Sequence, residues 1–108
     1  MTFYVANAFS IQMMEESGRV VFQRLSDAGA RAMMEDATDY VSCVGHEDTA
    51  AVFSHELGKE VKMNRTSVTL TTDDQMLVGQ LTGGRLPEGA KELPKDFRLQ
   101  WWLVFRQA

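Results

Sequence analysis

The stretch Val44-Gly45-His46-Glu47-Asp48-Thr49 joins a histidine to a glycine hinge and an acidic run. Periodicity places it where a short apolar strand hands over to a helix. The side chain of His46 would then stand at the carboxyl end of a sheet, beside the free N–H groups of a helix start. Such groups attract phosphate, and histidine is the side chain whose ordinary pKa, about 6.5, suits proton transfer near neutral pH. The plainer reading is that His46 caps the helix or bonds a neighbouring loop, and spacing leaves both open. Two arginines lie near glycine or polar turns: Arg65 in Met63-Asn64-Arg65-Thr66, and Arg85 in Gly83-Gly84-Arg85-Leu86-Pro87-Glu88-Gly89. The guanidinium fork fits phosphate or carboxylate oxygens, although each arginine taken singly reads first as a solvated loop charge. Glu88 also stands where it could be a local ion-pair partner for Arg85. His55 lies on a predicted helix with no Cys or His at ligand spacing and reads as a surface histidine. Asp73-Asp74 reads as a tight turn before it reads as a metal site. A nucleotide-binding Gly-rich loop, a paired-histidine zinc helix and a nucleophile elbow are all absent.

These residues need elements to hold them. Phe3, Val5, Asn7 and Phe9 alternate and predict an opening strand from Phe3 to Phe9, paired as a hairpin with a second strand over Val20–Leu25. Ser26 or Asp27 caps a helix whose apolar positions Ala30, Met33, Met34 and Ala37 share one face. Tyr40–Val44 predicts a short strand. Glu47–Leu57 predicts a helix with acids in its first turn and a stop at Gly58. Ser67–Thr72 and Met76–Leu81 suggest a hairpin around Asp73-Asp74-Gln75. Thr82–Lys95 is a glycine- and proline-bearing loop, and alternation from Phe97 to Arg106 marks the last and strongest strand. Trp101-Trp102 lies in it, and neighbouring strand residues face opposite ways, so at most one of the pair points at any ligand. The order predicts an α/β (α+β) fold in a single domain over residues 1–108, a mixed sheet of about five or six strands with helices mainly on one face.

Composition agrees with a small globular domain: 108 residues, 44% hydrophobic and 24% charged, with no low-complexity tract or repeat. No apolar run approaches the roughly 20 residues of a membrane span. The opening residues lack the basic leader of a secretory signal, and the single cysteine, Cys43, cannot close an internal disulfide. The expectation is a cytoplasmic protein with no membrane partner. Net charge is −4, with residues 1–54 carrying three arginines against eight acids and residues 55–108 carrying eight basic residues against seven acids. That balance argues against a grip on long nucleic acid through its phosphates. It leaves room for a compact anion held by a few arginines.

Four segments, taken in order, resemble one family. They are Val5-Ala6-Asn7-Ala8-Phe9-Ser10, Ser42-Cys43-Val44-Gly45-His46-Glu47-Asp48-Thr49-Ala50, Val61-Lys62-Met63-Asn64-Arg65 and Gly84-Arg85-Leu86-Pro87-Glu88-Gly89. Their order and spacing are similar to the viral and proviral ring nucleases that act as anti-CRISPR proteins against type III systems, and to their bacterial relatives. The resemblance implies a homodimer that cleaves cyclic tetra-adenylate across its two-fold axis without metal or cofactor. It implies His46 as general acid, Glu88 as a positioning or deprotonating group and Arg85 as a phosphate-stabilising cation. Asn7, Ser10, Arg65, Gly45 and Thr49 would hold the ring, and the Thr82–Lys95 loop would close on it as a lid. Two positions depart from the family pattern: Gln12 replaces a shorter amide, and Asp48 stands where many relatives carry a small hydroxyl residue. A carboxylate there would repel the ligand unless it turns outward.

Overall fold

The strand Phe3–Ala6 (β1) buries residues on both of its faces, so it needs neighbours on either side. It finds them in two parallel partners, Val41–Cys43 (β3) and Gln75–Thr82 (β4). In the computed structural model, which describes residues 1–108, these join Arg19–Leu25 (β2) and Arg98–Gln107 (β5) in one five-stranded mixed sheet of order β2-β5-β4-β1-β3. β5 runs antiparallel to both β4 and β2. The expected five- or six-stranded mixed sheet with helices is therefore present, with five strands.

Two helices, Asp27–Asp36 (α1) and Glu47–Leu57 (α2), cover one face. Ala30 and Met34 of α1 and Ala50, Phe53 and Leu57 of α2 pack with Phe3, Val5, Leu77 and Trp101 of the sheet into the main core. Ser26 is the cap of α1, accepting from Gly29 N at 3.0 Å. A cation closes the last turn of each helix. Arg31 Nε donates to Glu56 O at 3.0 Å, and Lys59 Nζ donates to Met34 O and Ala37 O at 3.1 and 2.7 Å. Both charges face the negative end of a helix dipole.

The opposite face carries Ala6, Met76, Val78 and Val104, with Trp102 at its margin. No helix covers it. Two irregular segments do, one bearing Phe9 and Met13 and the other Val68 and Leu70. Leu70 N donates to Met13 O at 2.8 Å, and Arg106 donates to Leu70 O and Ser17 O at 3.3 and 3.4 Å, which fastens the two together. Trp101 enters the helix-side core while Trp102 faces the other way beneath Arg24.

Three sequence expectations are corrected. The strands expected as an opening hairpin do not pair: β2 lies at the far edge of the sheet, bonded to β5. With no fully buried residue along its length, β2 suits an edge, whereas β1 requires the interior. β1 also ends at Ala6 instead of Phe9, and the chain turns through a 3-10 turn over Ile11–Met13. Ser67–Thr72 is not a strand and forms no hairpin with β4. Its alternation records one-sided burial of Val68 and Leu70 against the sheet, which a strap achieves without a hydrogen-bonded ladder. Asp73-Asp74 is a turn, as expected: Asp74 N donates to Thr71 O at 3.1 Å.

Candidate functional site

The register sets Ala6 beside both Cys43 and Val78, so the carboxyl ends of the parallel strands β1 and β3 lie together while β4 runs on past them to Thr82. In open sheets of this kind, ligands bind beyond those ends. From β3 the chain passes buried Val44 and Gly45 and reaches His46, the residue before the first turn of α2. His46 has an extended backbone (φ −132°, ψ 137°), and its side chain makes no capping hydrogen bond. His46 therefore holds the cap position of α2 through its carbonyl, which accepts from Ala50 N at 3.0 Å, and not through its side chain. Its imidazole is exposed and free of that duty.

A strap along the edge of β3 holds this corner. Ser42 Oγ donates to Lys62 O at 2.6 Å, Asn64 Nδ2 donates to Ser42 O at 2.7 Å, and Asn64 N donates to Val44 O at 2.8 Å. These bonds occupy backbone groups that an edge strand would leave open. They also bring Arg65 over Gly45, where an added Cβ would lie 3.7 Å from Arg65 Nε. Arg65 and His46 thus flank one glycine.

Across from His46 stands the loop between β4 and β5. Ala90 N donates to Pro87 O at 3.1 Å, and Gly89 has φ +80°. That is the pattern of a type II turn, whose third position needs a residue free to adopt positive φ. Glu88 occupies the corner of this turn. Gly89 N donates to Asp48 Oδ1 at 3.2 Å, tying the turn to the first turn of α2. A cleft of about 470 Å³ lies between them, lined by His46, Asp48, Glu88, Gly89 and Lys91 among others. Gly83 and Gly84, at the loop's start, also have positive φ.

The sequence-predicted residues therefore divide into groups. His46 and Glu88 share the cleft, and Arg65 lies against Gly45 beside it. Thr49 follows on α2 and is half-buried. Asn7 leaves the carboxyl end of β1, and Ser10 accepts from Gln12 N at 3.3 Å to cap the 3-10 turn; neither lines the cleft. Arg85 is exposed in the same loop as Glu88 and does not line the cleft of its own chain. Lys91 is the cleft residue that sequence reasoning missed, since its spacing from Glu88 looks like any solvated loop. Cys43, beneath the corner, donates its thiol to Val5 O at 3.3 Å, and burial pushes it up to about 11. His55 is exposed on α2, its Nε2 3.7 Å from Glu92 Oε2, which agrees with a surface histidine.

No group of three His, Cys, Asp or Glu side chains gathers to hold a metal. The apolar hollow of about 320 Å³ on the other sheet face, lined by Phe9, Phe22, Val78 and Trp102, contains no titratable group and offers no acid–base chemistry. Neither helix is long and apolar enough to cross a membrane.

Comparison with known proteins bears on this arrangement. A family model described as STIV B116-like matches residues 3–99. Among solved structures, the chain is similar to B116 of Sulfolobus turreted icosahedral virus, with a TM-score of 0.83 at 20% identity over 97% of this chain and 99% of that one. At that identity the likeness speaks for the fold. A comparison with curated proteins finds no match.

Proposed function

We propose, for a chain that belongs to the STIV B116-like family, that it is a metal-independent ring nuclease cleaving cyclic tetra-adenylate. One observation carries the reading: an uncapped, exposed histidine at the carboxyl ends of parallel strands, facing a glutamate across a polar cleft. Cleavage of RNA by its own ribose needs no added nucleophile. The 2′-oxygen attacks the adjacent phosphorus, the bond from phosphorus to the 5′-oxygen breaks, and the products are a 2′,3′-cyclic phosphate and a 5′-hydroxyl. His46 gives its proton to the departing 5′-oxygen. Glu88 orients the 2′-hydroxyl and takes its proton. Both groups return to their starting states through solvent.

The cleft wall is acidic, with Glu47, Asp48 and Glu88 against Lys91, so the phosphate needs further positive charge. Arg65 supplies it from the Gly45 side. Arg85, which stands outside its own chain's cleft, supplies it to the second site of a symmetric homodimer. A ring of four adenylates contains a two-fold axis, and an isologous pair offers it two equal half-sites. Two cuts release two linear di-adenylates. Asn7, Ser10 and Thr49 complete the ring-holding surface at the strand ends. In this reading the protein acts in the cytoplasm, where type III CRISPR complexes make the messenger, and it switches their signalling off.

The competing function is a binder that sequesters the ring uncut. The Asp48 carboxylate lines the cleft and counts toward that reading, while the bond from Gly89 N to its Oδ1 holds it against the loop. The test is to incubate the protein with cyclic tri-, tetra- and hexa-adenylate in excess chelator and resolve the products. Linear di-adenylate ending in 2′,3′-cyclic phosphate is the expected result. Tight binding with no product supports the sequestering protein, and loss of cleavage in chelator points to a metal-dependent route.

A further inference from the structure

The loop from Gly83 to Phe97 makes one hydrogen bond to the rest of the chain, and that bond is to Asp48. Its other backbone bonds, Ala90 N to Pro87 O and Phe97 N to Pro94 O, stay within the loop. The remaining polar tie is the 3.7 Å approach of His55 to Glu92 between two exposed side chains, which contributes little in water. The acceptor and donor of the single bond are placed to matter. Asp48 is two residues beyond His46, and Gly89 is next to Glu88. Joining Asp48 Oδ1 to Gly89 N therefore fixes the turn that carries Glu88 against the helix start that carries His46.

We infer that Asp48 is a positioning residue: it latches the glycine-led loop so that Glu88 stands opposite His46 before any ligand arrives, in contrast to a loop that closes only on the ring. The inference rests on the ring-nuclease reading for its effect on turnover, and on the structure alone for its effect on the loop. The latch acts through an oxygen acceptor and does not require the charge. The charge is in fact a cost to an anionic ligand, because Asp48 adds to Glu47 and Glu88 around one cleft. Acceptor and charge can therefore be separated by substitution. Asp48→Asn keeps an oxygen in place and removes the charge; Asp48→Ala removes both.

The experiment compares the full chain with Asp48→Ala and Asp48→Asn, by amide hydrogen exchange without ligand and by steady-state turnover of cyclic tetra-adenylate. Loss of one charge-assisted hydrogen bond predicts roughly tenfold faster exchange across Glu88–Ala90 in Asp48→Ala, with exchange in α2 unchanged. It also predicts a drop in kcat of about the same size, since Glu88 is then placed only part of the time. Asp48→Asn is expected to restore most of the protection and of kcat, and to lower KM. Unchanged exchange in Asp48→Ala overturns the latch. So does an Asn variant as impaired as the Ala variant in exchange and kcat, because the acceptor would then not be what matters. If the unsubstituted chain turns over nothing, the ring-nuclease reading fails and the exchange comparison alone decides whether Asp48 holds the loop.

Discussion

Asp74 is 7% exposed and accepts from Thr2 N at 3.1 Å and from Thr71 N and Oγ1 at 2.9 Å each. Burial opposes its charge, but these hydrogen bonds outweigh it and hold the carboxyl below its ordinary range. The stability gained is complete above the unfolded carboxylate value, about pH 4, and is lost as pH falls through the lower folded value. Asp74→Ala should cost about 1–3 kcal/mol at pH 7, and urea titrations should show its gap from the parent protein closing under acid. Cys43 gives a second residue-scale prediction. With its thiol pushed up to about 11, iodoacetamide at pH 7.5 should modify it roughly a hundredfold more slowly in the folded than in the unfolded chain, as followed by mass. At this scale the sequence was informative where local chemistry is self-contained. The histidine corner and the aspartate turn could be read directly. Lys91 and the Asp48–Gly89 bond could not, because each depends on a loop returning from about forty positions away.

At the scale of elements, Gly79 in β4 shows what a single chain conceals. A Cβ there would lie 2.5 Å from Phe53 Cζ and 2.7 Å from a ring carbon of Trp101. Those two rings pack edge to face with centroids 5.0 Å apart at the centre of the helix-side core. Gly79→Ala should therefore destabilise the fold by about 1–3 kcal/mol, measured by chemical denaturation, since a packed aromatic pair has no room to retreat. Nothing around Gly79 in the sequence marks it, because its neighbours come from α2 and β5. The helices were legible because their caps and periodicity are local: α2 runs Glu47–Leu57 and stops at Gly58, as read. Strand pairing was not legible. The alternation of Ser67–Thr72 reports which side is buried but not whether a ladder forms, and adjacency in sequence made β1 and β2 look like a hairpin when β5 is the true partner of β2.

For the whole molecule, the proposed cleavage of cyclic tetra-adenylate calls for two chains. Glu88 and Arg85 belong to one loop, yet only Glu88 lines the cleft, and in the proposed reaction Arg85 of a second chain adds the positive charge that this acidic cleft lacks for a ring of four phosphates. Sedimentation equilibrium should give a mass near twice 12.2 kDa, and mixing an Arg85→Ala chain with a His46→Ala chain should recover part of the activity that each lacks, because one of the two sites in the mixed pair is then intact. Failure of that complementation would place Arg85 in its own subunit's site or in none. Cyclic tetra-adenylate should also raise the melting temperature, since a ligand bound only by the folded state stabilises it. The most direct trial of the central claim is the single-turnover rate of His46→Ala on cyclic tetra-adenylate, measured beside its affinity for the ring. The prediction is a loss of about 10²- to 10⁴-fold in rate with affinity held within a few-fold. Turnover equal to that of the unsubstituted protein would contradict it.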